Sequence, residues 1–375
     1  MRFTLFIRLT LLAFAVVVVN GTAVAQDSAQ FDAQQNLWKL YYQDPEKSQW
    51  VNKTYVPQNG IKPTVVTHVQ GDRANFVYRY RVGNGRDAKQ LIDLFRIWGI
   101  PLTYPIPNLP PVTADLRTAN DAWTHQVYAQ GAAKERFSDE ILKTPKGWSG
   151  NLRVDEKVNQ SSFVWSPGLK DTDPDGIAPG KSQDGFAVVR PELPGLARAK
   201  LTGAREEPWG LDTLPNTSFW RQKIEEIQDQ DYVLVPVLAP IIVIPSPFDG
   251  AELARRIRVH VQTWVKYGHI SSDALIRLNR QFDVLIPALE GKNKPAIRSA
   301  AFELYKELFG HHHGLDHYKL GQDDDDQFDV PLRRRYGPQN VGQQAEPPQV
   351  EVQRIAARAL SFDLRYLLTR VELGR

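Results

Sequence analysis

Two hydrophobic periods divide this chain. In the first half the apolar runs are short and alternate with polar positions. "TVVTHVQGDRANFVYRYRVGNG" holds two such runs about a Gly71-Asp72 turn, and the second sets Phe76, Tyr78, Tyr80 and Val82 against Val77, Arg79 and Arg81. Period two with aromatic residues on one face predicts a half-buried antiparallel strand, closed by Gly83-Asn84-Gly85. "QLIDLFRIWGIP" has the composition of a further strand or a short helix, and dense prolines make 101–111 an extended loop. "WTHQVYAQG", "NLRVDEKVNQSSFVWSPG" and "DGFAVVRPELPGLARAKLTGA" add further short strands. Many short strands between Gly/Pro turns predict an all-β sandwich. "DYVLVPVLAPIIVIPSP" is apolar but broken by Pro236, Pro240 and Pro245, which suits an edge strand or an extended linker.

After Pro247 the period becomes helical. Leu253, Ile257, Val261 and Trp264 recur every three to four residues, with Asp249 placed to cap and Gly268 to end the helix. Ser271 or Ser272 caps a second helix with Leu275, Leu278, Phe282, Leu285 and Leu289 on its apolar face and Gly291 at its end. Pro287 inside it predicts a kink. Pro295 suits the first turn of a third helix carrying Ile297, Ala301, Leu304 and Leu308. A last amphipathic helix carries Ile355, Ala359, Leu360, Leu364, Leu367, Leu368 and Val371. The expected fold class is therefore α+β multidomain, an antiparallel β-sandwich followed by a small antiparallel helical module. The expected boundaries are 1–25 for a signal peptide, 26–205 for the sandwich with an irregular lead-in, and 206–247 for a Pro-rich edge strand or linker. The helical module then spans 248–310, a charged linker 311–349 and the final helix 350–375.

Two resemblances follow from these motifs. "FVYRYRVGNGRDAKQLIDLFRI", "PKGW", "FVWSP" and "IAPGKSQDGFAVVRPELPGLARAKLTG" together resemble a pattern of exported bacterial proteins of unknown function. That resemblance implies a sandwich and an exported setting, with no assigned chemistry. "SSDALIRLNRQFDVLIPALEGKNKPAIRSAAFELYKELF" is similar to the FIMAH helical module of bacterial extracellular proteins, which implies an accessory role.

The first residues change the picture of where the chain works. Arg2 and Arg8, an apolar run from Leu9 to Val19 and Ala23-Val24-Ala25 read as a secretory signal peptide cleaved after Ala25. The run is shorter than the roughly 20 residues a bilayer core requires, and no later stretch supplies a membrane span. Periplasmic or extracellular placement is expected. The chain has no Cys, so an exported fold must hold by its core or by bound metal. Net charge is +3, which leaves no footprint for nucleic acid. A protein or glycan partner remains.

Metal chemistry has two candidates. In "DTDPDGIAPGKSQDG" the carboxylates of Asp171, Asp173 and Asp175 alternate before Gly176, as in the first half of a calcium loop. The twelfth position is Ser182, and Asp184 would have to close the site; a Gly/Asp-rich turn is the other reading. In "HHHGLDHYKLGQDDDD" the ligands would be His311, His313, Asp316 and His317, a donor set suited to zinc. That tract reads as a solvated spacer, a metal-binding spacer or, least directly, a hydrolytic centre, since its spacing has one residue too many for H-x-H-x-D-H. Asp323–Asp326 and Arg333–Arg335 read as a solvated zwitterionic loop. Ser149 in "GWSG" lacks the spacing of a nucleophile elbow. Asp93, Asp139 and Glu140 are carboxylates that a glycosidase would need, with nothing local to mark them. Trp148, Trp165 and Trp209 are either core packing or a sugar platform. The function expected is an exported non-enzymatic binding or scaffold protein of the bacterial envelope, with a divalent ion as candidate support. The alternatives are a carbohydrate-binding accessory protein and a metal-dependent hydrolase.

Overall fold

The alternation of "FVYRYRVGN" is realised without a break. In the computed structural model Phe76, Tyr78, Tyr80, Val82 and Asn84 all point inward from the strand Phe76–Asn84. The residues described are 26–71, 75–101, 142–155, 160–168, 176–205, 209–309 and 352–373. They contain three antiparallel sheets and five α-helices, an α+β chain. The chain separates into two compact units, Met1–Val56 with Glu207–Ile227 and Pro57–Glu206 with Gln228–Arg375.

The smaller unit holds a meander of β1 (Ser28–Asp32), β2 (Leu37–Gln43) and β3 (Trp50–Tyr55), and the helix α1 (Ser218–Gln228). The stretch expected to be an irregular lead-in is thus regular sheet. The reason is visible in "LWKLYYQ", where Trp38, Leu40 and Tyr42 face inward and Lys39, Tyr41 and Gln43 face outward. The core is Trp38, Leu40, Tyr42 and Tyr55 closed by Leu211, Leu214, Trp220 and Ile227.

The larger unit opens with β4 (Pro63–Gly71), β5 (Phe76–Asn84) and β6 (Ile92–Pro101). The strands β7 (Leu142–Lys143), β8 (Trp148–Asp155), β9 (Gln160–Pro167), β10 (Ser182–Arg190), β11 (Leu193–Gly203) and β12 (Val233–Ile242) follow. One sheet has the order β4-β5-β10-β7 and the other β12-β11-β6-β9-β8. The sheets meet through aromatic rings. Tyr80 lies edge-on to Phe95 at 5.7 Å, and Phe186 meets Trp148, Trp165 and Phe95 at 5.0, 5.7 and 5.5 Å. Edge-to-face pairs of this kind add about 0.5–1.5 kcal/mol each beyond area burial.

Two of the short connections that cross between sheets are pinned by polar groups. At the β5–β6 corner the Asn84 amide donates to the Gln90 and Ile177 carbonyls, and its oxygen accepts from the Lys62 amide. At the β10–β11 corner Arg190 and Glu192 form a buried bidentate pair at 2.9 and 2.7 Å. Tyr78 donates its hydroxyl to the Glu192 carbonyl. Pro236 and Pro240 sit opposite Arg198 and Pro194 in β12, which is the edge of its sheet, so neither proline deprives a second neighbour of a donor.

The helices α2 (Gly250–Lys266), α3 (Ser272–Glu290), α4 (Lys294–Phe309) and α5 (Arg354–Leu373) form a layer that packs on β11 and β12 through α2 and on β11 through α5. Asp249 accepts from the Ala251 and Glu252 amides, Ser271 from Ala274 and Asn293 from Ala296, so each of the first three helices has a side-chain cap. Among the described residues no helix is long and apolar enough to cross a membrane.

Candidate functional site

The first three carboxylates of the calcium candidate, Asp171, Asp173 and Asp175, lie outside the described residues. Its last two positions are described. Gly176 has φ +107°, and a Cβ there would come within 2.2 Å of the Ile92 carbonyl oxygen. The next residue, Ile177, exchanges two backbone hydrogen bonds with Ile92 at 2.8 and 3.0 Å. A glycine at this point is therefore required by close approach of two backbones, whatever the aspartates before it do. Asp184 lies 2.6 Å from the Arg81 guanidinium, with both side chains more than half exposed. His311, His313, Asp316 and His317 also lie outside the described residues. Among the described residues no three His, Asp or Glu side chains are grouped to hold a metal ion.

The other candidates separate by burial. Asp139 and Glu140 lie outside the described residues. Asp93 is largely buried on β6 and accepts from the Thr202 hydroxyl at 3.0 Å. Burial pushes its carboxyl up to about 6, against the pull of that hydrogen bond and of Arg205. Ser149 Oγ reaches only the Ser166 carbonyl, at 3.4 Å. Trp148 and Trp165, two of the three rings proposed for a sugar platform, are 8% and 0% exposed in the sandwich core. Trp209 packs in the smaller unit, edge-on to Tyr55 at 6.0 Å and beneath the Lys53 ammonium at 4.7 Å. Of the two readings of these rings, core packing holds for Trp148 and Trp165, which the inward positions of β8 and β9 take into the core.

A different aromatic pair stands on the surface. Tyr41 of β2 and Trp50 of β3 are 36% and 38% exposed, and their rings stack at 5.0 Å with 18° between planes. Tyr41 is paired with Asn52 and Gln43 with Trp50, so the two rings are diagonal neighbours on one side of the sheet. Lys39, Gln43, Asn52 and Thr54 occupy the remaining exposed positions of β2 and β3 on that side. Lys39 is bonded to Asp32 at 2.9 Å, and together with the Gln35 and Gln34 amides it holds the Asp32 carboxyl below its ordinary range. The opposite side of the same strands is the aromatic core, so the sheet is rigidly backed. The sequence carried the signal in the strict alternation of "LWKLYYQ" and "WVNKTY".

No protein-family model matches the chain, and no curated protein sequence matches it. Among solved structures, the chain is similar to an uncharacterised protein from Nocardia farcinica with an immunoglobulin-like fold. The identity is 10%, the match covers 46% of this chain and 96% of that one, and the TM-score is 0.22. At that score the sandwich rests on its own sheets and aromatic contacts alone.

Two titratable groups of the larger unit are withdrawn from solvent, one half-buried and one fully. His260 of α2 sits against β11, and its Nε2 accepts from the Leu196 amide at 2.7 Å. An accepting Nε2 carries no proton, and burial pushes the ring down to about 4. A Cβ on Gly195 would come within 2.7 Å of that nitrogen, so the glycine admits the ring. Asp363 of α5 is 1% exposed, and among the described residues neither of its carboxyl oxygens has a hydrogen-bond partner.

Proposed function

We propose that this chain is an exported, non-enzymatic binding or scaffold protein, and that its ligand docks on the outer side of the β1–β2–β3 sheet. The observation that carries this reading is the exposed Tyr41–Trp50 pair on a sheet side otherwise lined by polar groups. Two adjacent rings left at the surface are informative because large aromatics dominate binding interfaces and are otherwise covered. The export half of the reading rests on the basic, apolar and A-x-A pattern of residues 1–25.

The same surface favours a glycan over a protein partner. Aromatic faces offer the apolar contact that a pyranose ring presents, and Gln43, Asn52 and Thr54 offer both donors and acceptors for its hydroxyls. The experiment is a pull-down of residues 26–375 on insoluble peptidoglycan, chitin and cellulose, followed by calorimetric titration with soluble fragments of whichever polymer retains the protein. Retention that falls tenfold or more in Trp50→Ala, with the urea midpoint of unfolding little changed, supports the glycan reading. Retention that is equal in wild type and variant removes this sheet from the function.

A further inference from the structure

The last helix is held in place with an acid in its buried seam. Along α5, Leu360, Leu364 and Leu367 are buried, and Phe362 and Tyr366 meet the Phe76 ring edge-on at 5.5 Å each. Asp363 lies within this stretch, 1% exposed, and among the described residues no donor reaches either oxygen. A carboxylate in such a place has lost its water and gained nothing in return, while a carboxylic acid has lost far less. The surroundings do not relieve it. On β5 the nearby titratable group is Tyr78, whose hydroxyl is already given to Glu192 and whose own ionisation Asp363 opposes. Glu192 and Arg190, which also act on Tyr78, are bonded to each other. On α4 the Tyr305 hydroxyl is bonded to the Ser361 carbonyl. On α2, which also packs on α5, the half-buried His260 is bonded to Leu196. On α5 itself Arg370 is bonded to Tyr366, and Arg358 lies in a partly desolvated position beside Arg354.

We propose that Asp363 is a proton-held latch for the C-terminal helix: as the neutral acid it lets α5 dock against the sandwich and the other helices, and loss of its proton loosens that docking. Burial raises this carboxyl well above its ordinary 3.8, and no other cause opposes it. A group raised in the folded state stabilises fully below the unfolded value and loses that contribution as pH climbs to the folded value. The latch is therefore tighter in acid and looser toward alkaline pH. Such a device would let an exported protein change its exposed surface with the medium, since releasing α5 uncovers Phe76 and the apolar residues of α2 and α4 that it covers.

The test compares wild type with Asp363→Asn, which keeps the shape and cannot titrate, across a series of pH values. The ratio of the wild-type unfolding constant to that of the variant is expected to rise about tenfold per pH unit above about pH 4, up to the folded-state value, and then to level off. Limited trypsin digestion localises the effect: at pH 8, cleavage after Arg358 and Arg365 should be faster in wild type than in the variant. Infrared difference spectra of the folded chain should show a protonated carboxyl band that Asp363→Asn removes. Should the asparagine variant fail to fold, Asp363→Leu serves the same comparison. Parallel pH dependences in wild type and variant, or a carboxyl that ionises in the folded protein in the ordinary carboxylate range, would overturn the latch.

Discussion

The small core and the helical layer of the larger unit are assembled over different chain distances. The small core joins Trp38, Leu40, Tyr42 and Tyr55 to Leu211, Leu214 and Trp220, from opposite sides of the whole sandwich sequence. Its Trp220 indole donates to Asp27, 193 positions away, at 2.8 Å. The helical layer of the larger unit is the opposite case, its first three helices being consecutive and each capped by a residue next to it in sequence. The contrast shows two ways of making a core. One needs loop closure between remote segments and rests on a few large rings, while the other is laid down by local signals and then docked as a layer.

The sharpest break of this comparison is the loss of one fully buried side chain in each unit. Trp220→Ala should cost about 3–5 kcal/mol in urea unfolding, because it removes a fully buried indole that also holds Asp27. Glu192→Ala should cost a similar ~3–5 kcal/mol in the larger unit, since Arg190 would be left charged in a corner where it is 3% exposed. A Trp220→Ala loss below ~1 kcal/mol would show that the small core does not depend on its remote half.

Next in size is a pH effect at the seam between β11 and α2. His260 has its folded value depressed to about 4 from 6.5. The unfolded chain therefore takes up a proton first as pH falls, and stability should drop between about pH 6.5 and 4, by ~3 kcal/mol in total. Equilibrium unfolding of wild type beside His260→Gln checks this, the variant being expected to lack that slope. Asp363 acts with the opposite sign over part of the same range, which is why each effect is read as a difference from its own variant.

Smaller effects test the local signals. Asp249→Ala removes two cap hydrogen bonds from α2 and should cost about 1 kcal/mol, measured as a shift in urea midpoint. Arg81→Ala at the exposed Asp184 pair should change stability by less than ~0.5 kcal/mol. A larger loss there would show that Arg81 has a task beyond this pair.

Much of the framework was legible residue by residue. The alternation in β5 predicted its buried face, Asp249, Ser271 and Gly291 stand where α2 and α3 begin and end, and the prolines of β12 marked an edge strand. Each of these signals is local, and its cause acts within a few residues of where it is read. What was misjudged lay where the partner was remote. The meander of β1 to β3 was taken for irregular chain, since its partners, Leu211 to Ile227, lie beyond the sandwich sequence. The helix α1 was not anticipated at all. Asp363 is an acid within an amphipathic helix by sequence, and the packing of α5 on α2, α4 and β11 leaves it 1% exposed.

The same division holds for the chemistry. The aspartate motif at 171–176 and the histidine tract at 311–317 were read from spacing, but spacing cannot say which oxygens and nitrogens converge. Gly176 illustrates the point: it suits a calcium loop by sequence, and its observed necessity is the backbone of Ile92. The chain's order of residues determined the periods, caps and turns, because those depend on neighbours a few positions apart. Only the tertiary structure decided which aromatic rings were core and which were surface, and which acid lost its water. Burial is a property of what arrives from elsewhere in the chain, and no local pattern contains it.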